Sequence, residues 1–359
     1  MSKQKKTEKG PGARHGEAFY NPAMQMSRDL SILVYQWFLS TQNHPVSLID
    51  GLAASGIRGV RLAHELTGDF TVMINDWNPQ AYALIQKNIE HHHLRNAVAS
   101  NKNLNTLLSE QQYHAIDIDP FGSPAEFIDS AFRSIRHNGL LACTATDTAP
   151  LCGVYPLVCL RRYGAVPFHS PVMHEIGLRI LLGFLCREAG KYDKAVEPIL
   201  CHATDYYFRV YVRVRHSKQL ANECVEQLKV FSSAQLPVSH MQTSSAQDIG
   251  PLWAGHLQNQ NIIRQVSNLL LEKTVRTRPE LWTLLHLLEE EANAPLFFYR
   301  MEDVAAHLKQ SSPPREYIFE SLLKNGFQVT RTHFTPTGFK TDAPFPVIEQ
   351  VFRDAGVNK

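Results

Sequence analysis

Three short apolar runs, each with an acid at or near its end, constrain this chain most: VSLID at 46–50, FTVMIND at 70–76 and HAIDIDPF at 114–121. Each has the length of a buried strand, and each is followed by a segment of helical periodicity. Those segments are VRLAHEL, AYALIQKNIEHHHL (81–94) and AEFIDSAFRSIRH, the last stopped by Asn138-Gly139. LLACTAT at 140–146 supplies another strand. Strands alternating with helices predict an α/β fold on a parallel sheet, and such sheets bind ligands beyond the carboxyl ends of their strands. An amphipathic helix over 29–39 precedes the first strand, with Ser27 or Asp29 near its start, and 174–190 forms a further helix. DYYFRVYVRVRH (205–216) alternates like a strand that can complete the sheet, with Arg209, Arg213 and Arg215 on one face.

The residues at those strand ends suit a nucleoside. Asp50 closes the first run, and a turn of small residues follows it, with Ser55 and Gly56 at its end. Such a turn lets a ligand approach the backbone and exposes amides at the next helix start. The spacing is neither Gly-x-Gly-x-x-Gly nor a phosphate loop. Asp76, 26 residues after Asp50, can accept both hydroxyls of a ribose. Asp119-Pro120-Phe121-Gly122 follows the strand HAIDI at the end of the third run and resembles the Asp/Asn-Pro-Pro-Tyr/Phe motif of amine methyltransferases. An exocyclic base amine is a poor nucleophile because its lone pair is delocalised into the ring. The Asp119 carboxylate and a nearby carbonyl can accept its N–H bonds and aim the lone pair at an electrophilic methyl. Phe121 can stack on the base, and Pro120 fixes the backbone that carries both groups. Asp117, on the same face, reads more readily as a structural acid.

Composition narrows the class. A length of 359 residues suggests two or three domains, and a net charge of +2 does not by itself imply nucleic acid. The basic start, MSKQKKTEKGPGARHG, lacks the apolar core of a signal peptide and reads as a flexible arm over 1–16. No apolar run is long enough to cross a bilayer. The six cysteines include no Cys-x-x-Cys pair, which points to core thiols in a reducing, cytoplasmic setting, without disulfides or zinc. Texture changes near 217–250, which is polar. Helical segments follow at about 257–273 and 279–292. MEDVAAHLKQ (301–310), the turn SSPP and EYIFESLLKNG then make a helix-turn-helix, and VTRTHFTPTGFKTDAP can be its wing.

Together these stretches resemble the tRNA guanine-26 N2-dimethyltransferases. The resemblance rests on FYNPAMQMSRDLS (19–31), DGLAASGIRGVRLAHEL (50–66), NDWNPQA, DIDPFGSP (117–124), TATDTAPLCGVYP, HSPVMHEIGLRILL, DYYFRVYVRV and GPLWAGHL (250–257). It implies a Rossmann-like class I methyltransferase domain over 17–216 and a smaller α+β, winged-helix-like, tRNA-binding domain over 217–359. It also implies transfer of methyl groups from S-adenosylmethionine to guanine N2 in tRNA. Arg28, Arg61 and Asp76 would hold the cofactor, Asp119 would be the catalytic acceptor, and Phe19 and Phe121 would sandwich the guanine. Two departures stand out. Asn103-Leu104 replaces the family's Asp-Ala, leaving a neutral carbonyl for the adenine amine. The clustered cysteines before GPLW in many archaeal members are missing, so no metal is expected.

Other residues admit plainer readings. His91, His92 and His93 end a helix as a solvated face, and His174-Glu175 starts one. Asp147 can line the pocket, and Arg161, Arg162 and the arginine face of 209–215 can meet phosphates. Nothing calls for a membrane or an obligate protein partner. The alternatives are an amine methyltransferase acting on another RNA or DNA base, and a winged-helix RNA-binding protein without catalysis.

Overall fold

The computed structural model describes residues 21–204, 206–237 and 246–357. Phe19 and the arm expected over 1–16 lie outside them.

Helix α1 (Gln25–Ser40) leads into β1 (Val46–Asp50), α2 (Ile57–Glu65), β2 (Phe70–Asn75), α3 (Pro79–His91), β3 (Ala97–Ser100) and α4 (Leu104–Glu110). There follow β4 (Tyr113–Ile118), α5 (Ala125–Ser134), β5 (Ile135–Ala145), α6 (Thr148–Leu151), α7 (Pro156–Tyr163) and α8 (Met173–Gly190). Strands β6 (Lys194–Thr204) and β7 (Tyr207–His216) complete a seven-stranded sheet of order β3-β2-β1-β4-β5-β7-β6. The first five strands in that order run parallel; β7 is antiparallel to β5, and β6 to β7. The connection reverses direction between β1 and β4. The ends of β1, β2 and β4 therefore open onto one crevice, the usual place for a ligand in such sheets.

Local chemistry explains the starts of the helices. Asn78 accepts the Gln80 amide and Pro79 occupies the first turn of α3. Gly56, at φ +76°, launches α2, and a Cβ there would meet Ile85 at 2.8 Å. The helix expected over 125–137 ends at Ser134 instead. Ile135 pairs with Tyr113, and the strand register shifts just beyond it. Asn138, at φ +59°, and Gly139 thus mark an irregularity inside β5 rather than a helix stop. β6 lacks a regular alternation in sequence because Glu197 and Pro198 interrupt it.

One apolar core lies between the sheet and α4, α5 and α8, the other between the sheet and α1, α2, α10 (Gln260–Glu272) and α11 (Arg278–Glu290). The polar segment after 216 contains α9 (Lys218–Glu226) and the pair β8 (Leu228–Ser232) and β9 (Asp248–Trp253). Its Cys224, Leu252 and Trp253 join the first core, while Ile263 and Leu285 join the second. A separate third core begins only near Met301. The elements around this third core make a smaller group within 217–359. It comprises β10 (Tyr299–Arg300), α12 (Met301–His307), α13 (Arg315–Lys324), β11 (Val329–Arg331), β12 (Gly338–Thr341) and α14 (Phe345–Val357). Its antiparallel strands follow the order β10-β12-β11, giving a helix-turn-helix with a small wing.

Glu175 and Lys340 join the two parts. Glu175, fully buried in the first turn of α8, accepts from Lys340 Nζ at 2.8 Å, from Arg179 Nη2 at 2.8 Å and from the Phe297 amide at 3.0 Å. Burial raises its carboxyl, but Lys340 and Arg179 outweigh this and hold it at about 2. The acid read as a simple helix start is a tie across the molecule.

Candidate active site

The turn after β1 is clamped from three sides. The Gly51 amide donates to the Asp117 carbonyl at 3.0 Å, and Asn75 Nδ2 donates to the Gly51 carbonyl at 3.0 Å. A side chain at Gly51 would strike Leu104 at 2.8 Å, so the buried Leu104 forms the floor of the turn. Asp50 is buried, and its Oδ2 accepts the Gly59 amide at 2.8 Å. It pins the start of α2, and the described contacts point to that role rather than to a ligand. Burial and then the Asp117 charge push its carboxyl up to about 7.

Asp76 stands beside that turn. Its Oδ2 accepts the Ala54 amide at 2.8 Å and its Oδ1 accepts the Asn78 amide at 2.9 Å. Each carboxylate oxygen keeps a lone pair for a further donor. Ser55 is almost buried next to it, and Trp77, which no sequence argument singled out, projects into solvent. Asn103 caps α4: its Oδ1 accepts the Asn105 amide at 2.9 Å and the Thr106 amide at 3.4 Å. The oxygen expected to meet an adenine amine is thus already used.

Beneath the crevice lies a buried ionic cluster. Arg209, fully buried, donates to Asp117 Oδ1 at 2.9 Å, to Asp117 Oδ2 at 2.6 Å and to Thr144 Oγ1 at 2.7 Å. Tyr35 also donates to Asp117, at 3.1 Å. Burial would raise the Asp117 carboxyl; Arg209 and Arg58 instead hold it below the usual range. Arg58 bonds Ser31 Oγ and Asp119 Oδ2, and its Nε lies 3.9 Å from Asp117. Burial pulls its guanidinium down, but Asp117 and Asp119 carry it above its ordinary value. The arginine face of β7 is therefore no phosphate stripe: Arg209 is internal, Arg213 lies over the Trp37 ring and Arg215 pairs with Glu197.

Asp119 is the one carboxylate of this cluster that reaches solvent, its side chain 20% exposed. Phe121 beside it is 67% exposed. Gly122, at φ +99°, turns the chain back, and its amide donates to Thr146 Oγ1 at 2.7 Å. The pairing ties the loop to the end of β5.

Of the other expected residues, Arg28 is nearly buried in the first turn of α1, with Nη2 donating to the Asn21 carbonyl at 3.1 Å. Arg61 points away from the crevice, to Asp29 at 2.6 Å and Glu65 at 2.6 Å. Arg58, one helical turn earlier, is the arginine of α2 that enters the site. The two lie three residues apart on the same side of the helix, so periodicity does not tell them apart and only tertiary packing does. Asp147 accepts from Arg162 and Tyr163. His91, His92 and His93 are exposed, and among the described residues no group of three or more His, Cys, Asp or Glu side chains could hold a metal.

Comparison with known proteins decides the family. The model of the N2,N2-dimethylguanosine tRNA methyltransferases matches residues 2–353.

The chain belongs to the N2,N2-dimethylguanosine tRNA methyltransferase family.

Relatives include the tRNA (guanine(26)-N(2))-dimethyltransferases of Pyrococcus furiosus and Methanobrevibacter smithii. The first is 37% identical, covering 93% of this chain and 92% of the relative. The second is 35% identical, covering 93% and 91%. The structure of Trm1 from Pyrococcus horikoshii in complex with S-adenosyl-L-methionine superposes with a TM-score of 0.85 at 32% identity, covering 95% of this chain and 96% of that one. The Asp-Pro-Phe-Gly loop follows β4, beside the ends of β1 and β2.

Proposed function

We propose that this chain transfers methyl groups from S-adenosylmethionine to the exocyclic N2 amine of guanine 26 in tRNA, giving N2-methyl- and N2,N2-dimethylguanine. The observation that carries the reading is the Asp119 carboxylate, held by Arg58 at the rim of a buried charge cluster and flanked by an exposed aromatic ring.

The residues present fit the cofactor. Asp76 keeps acceptor capacity for ribose hydroxyls, and the glycine at 51 lets the turn pack closely on Leu104 beside it. Arg28 suits the cofactor carboxylate, while Ser55 and Gly56 shape the turn. When bound, the cofactor supplies a methyl group made electrophilic by a sulfonium. Asp119 accepts an N–H of the guanine amine and turns its lone pair outward. Arg58 fixes the Asp119 carboxylate in one orientation and keeps it beside a cation. Phe121 stacks on the base, with Phe19 as its expected partner on the other face. The amine proton leaves to solvent once the nitrogen has been alkylated.

The segment 217–359 would contribute tRNA contacts, and the setting would be cytoplasmic. No helix among the described residues is long and apolar enough to cross a membrane. The decisive experiment replaces Asp119 by Ala. Methyl transfer to a tRNA transcript should fall by about a thousandfold or more, with tRNA binding largely kept. Turnover near the wild-type rate would refute the mechanism.

A further inference from the structure

Helix α7 and the turn before it carry an apolar face that points to water. Cys159 and Tyr163 face inward and are buried. Val154, Tyr155, Leu157 and Leu160 are exposed, Leu157 to 78%. A surface helix normally presents polar residues there, and a cluster of exposed apolar side chains marks a contact surface. Arg161 and Arg162 stand exposed in the last turn of the same helix, giving the patch a cationic edge.

The patch is fastened to the loop that carries Phe121. Tyr163 Oη lies 2.8 Å from Ser123 Oγ, two residues beyond Phe121. Tyr163 donates to Asp147 Oδ1 at 2.6 Å and Arg162 to Asp147 Oδ2 at 2.9 Å. Asp147 in turn follows Thr146, which pairs with Gly122. The turn itself is fixed. Gly153 sits at φ +87°, and a Cβ there would meet the His169 amide nitrogen at 2.5 Å. Pro156 opens α7, and Gly164, at φ +59°, closes it. The exposed side chains are thus displayed on a rigid frame continuous with the base site.

We propose that Tyr155, Leu157 and Leu160 form a wedge that packs against the bases left exposed when the target guanine leaves its stack, with Arg161 and Arg162 meeting the flanking phosphates. The inference rests on the proposed tRNA activity. A guanine stacked in a helix cannot bring N2 to Asp119, whose carboxylate is mostly covered, so the base must swing out. Unstacking is costly, and apolar side chains applied to the neighbouring bases offset it. The two arginines and the shared loop favour a polyanion with base faces over an apolar protein partner.

The test uses the full chain with Leu157→Ala and Leu160→Ala combined, and a tRNA transcript carrying 2-aminopurine next to position 26. Wild-type protein should raise the fluorescence on binding. The double variant should lose most of that rise and show a KM for tRNA about tenfold higher, with affinity for S-adenosylmethionine and melting temperature unchanged. The defect should shrink when the guanine is offered in an unpaired loop. A variant that matches wild type in fluorescence and KM overturns the wedge. So does one whose only change, by sedimentation velocity, is lost self-association. Wild-type protein that raises the fluorescence but does not methylate would sink the activity and leave the wedge standing.

Discussion

At the strand ends, three carboxylates (Asp50, Asp117, Asp119) face two guanidinium groups (Arg58, Arg209). Between the sheet and the C-terminal unit, one carboxylate (Glu175) faces two cations (Arg179, Lys340). The second cluster is buried, although Arg179 and Lys340 line a cavity and Glu175 Oε2 has no hydrogen-bond partner among the described residues. Its surplus cationic donors end on the carbonyls of Trp253, Gly255 and Pro295, and it serves to tie two parts together. The first cluster has the opposite imbalance. One acid, Asp50, is pushed up to about 7, and another, Asp119, reaches solvent as an oriented acceptor. Similar ion pairs therefore give a buried tie where cations predominate and, where acids predominate, a cluster that leaves one carboxylate at the surface.

Removing one cation from each cluster is the strongest way to break this comparison. Arg58→Met should lower methyl transfer about a hundredfold. Lys340→Met should instead cost about 3 kcal/mol of stability, as expected for a buried charge left with fewer partners, with turnover per folded molecule retained. Initial rates and urea midpoints for both variants decide it, and equal loss of activity in the two would void the distinction.

The clusters should also respond to pH with opposite signs. Glu175 is held at about 2 against an ordinary 4.5, so its contribution is present above 4.5 and lost as pH falls toward 2. That linkage is worth about 3 kcal/mol. Glu175→Gln should be clearly less stable than wild type at pH 7, and the gap should narrow at pH 3. Asp50, raised from 3.8 to about 7, contributes fully below 3.8 and loses that contribution as pH rises through 7. Asp50→Asn keeps an acceptor for the Gly59 amide. It should exceed wild type in stability at pH 8 and match it at pH 4, as denaturant titration at the two pH values would show.

The smallest effect is expected at Asn103. An aspartate there would cap α4 with one oxygen and present the other to an amine. Asn103→Asp should leave the melting temperature unchanged and tighten S-adenosylmethionine binding by about threefold. Calorimetry showing no gain would mean that this position does not meet the cofactor.

The strands that end at the crevice were legible because their apolar runs are continuous and acid-terminated. The Asp119 loop was legible because its chemistry is local. β6 was not, since Pro198 disrupts its pattern, and neither was the strand start at Ile135, where pairing with Tyr113 overrides a helical periodicity. Arg61 and Arg58 could not be told apart. They lie one turn apart on an amphipathic helix, and only the packing of α2 assigns Arg58 to Asp119 and Arg61 to Asp29.

By itself the sequence determined the alternation of strands and helices, the small-residue turn, Asp76 and the Asp-Pro-Phe-Gly loop, because each depends on residues close along the chain. The tertiary structure alone decided that Arg209 is a buried partner of Asp117 rather than a surface cation, and that Glu175 reaches Lys340 across the molecule. It also decided that α7 shows its leucines to water. Those outcomes depend on which face each element buries and on charges far apart in sequence meeting in a dry interior, where an ionised side chain persists only with its partner present.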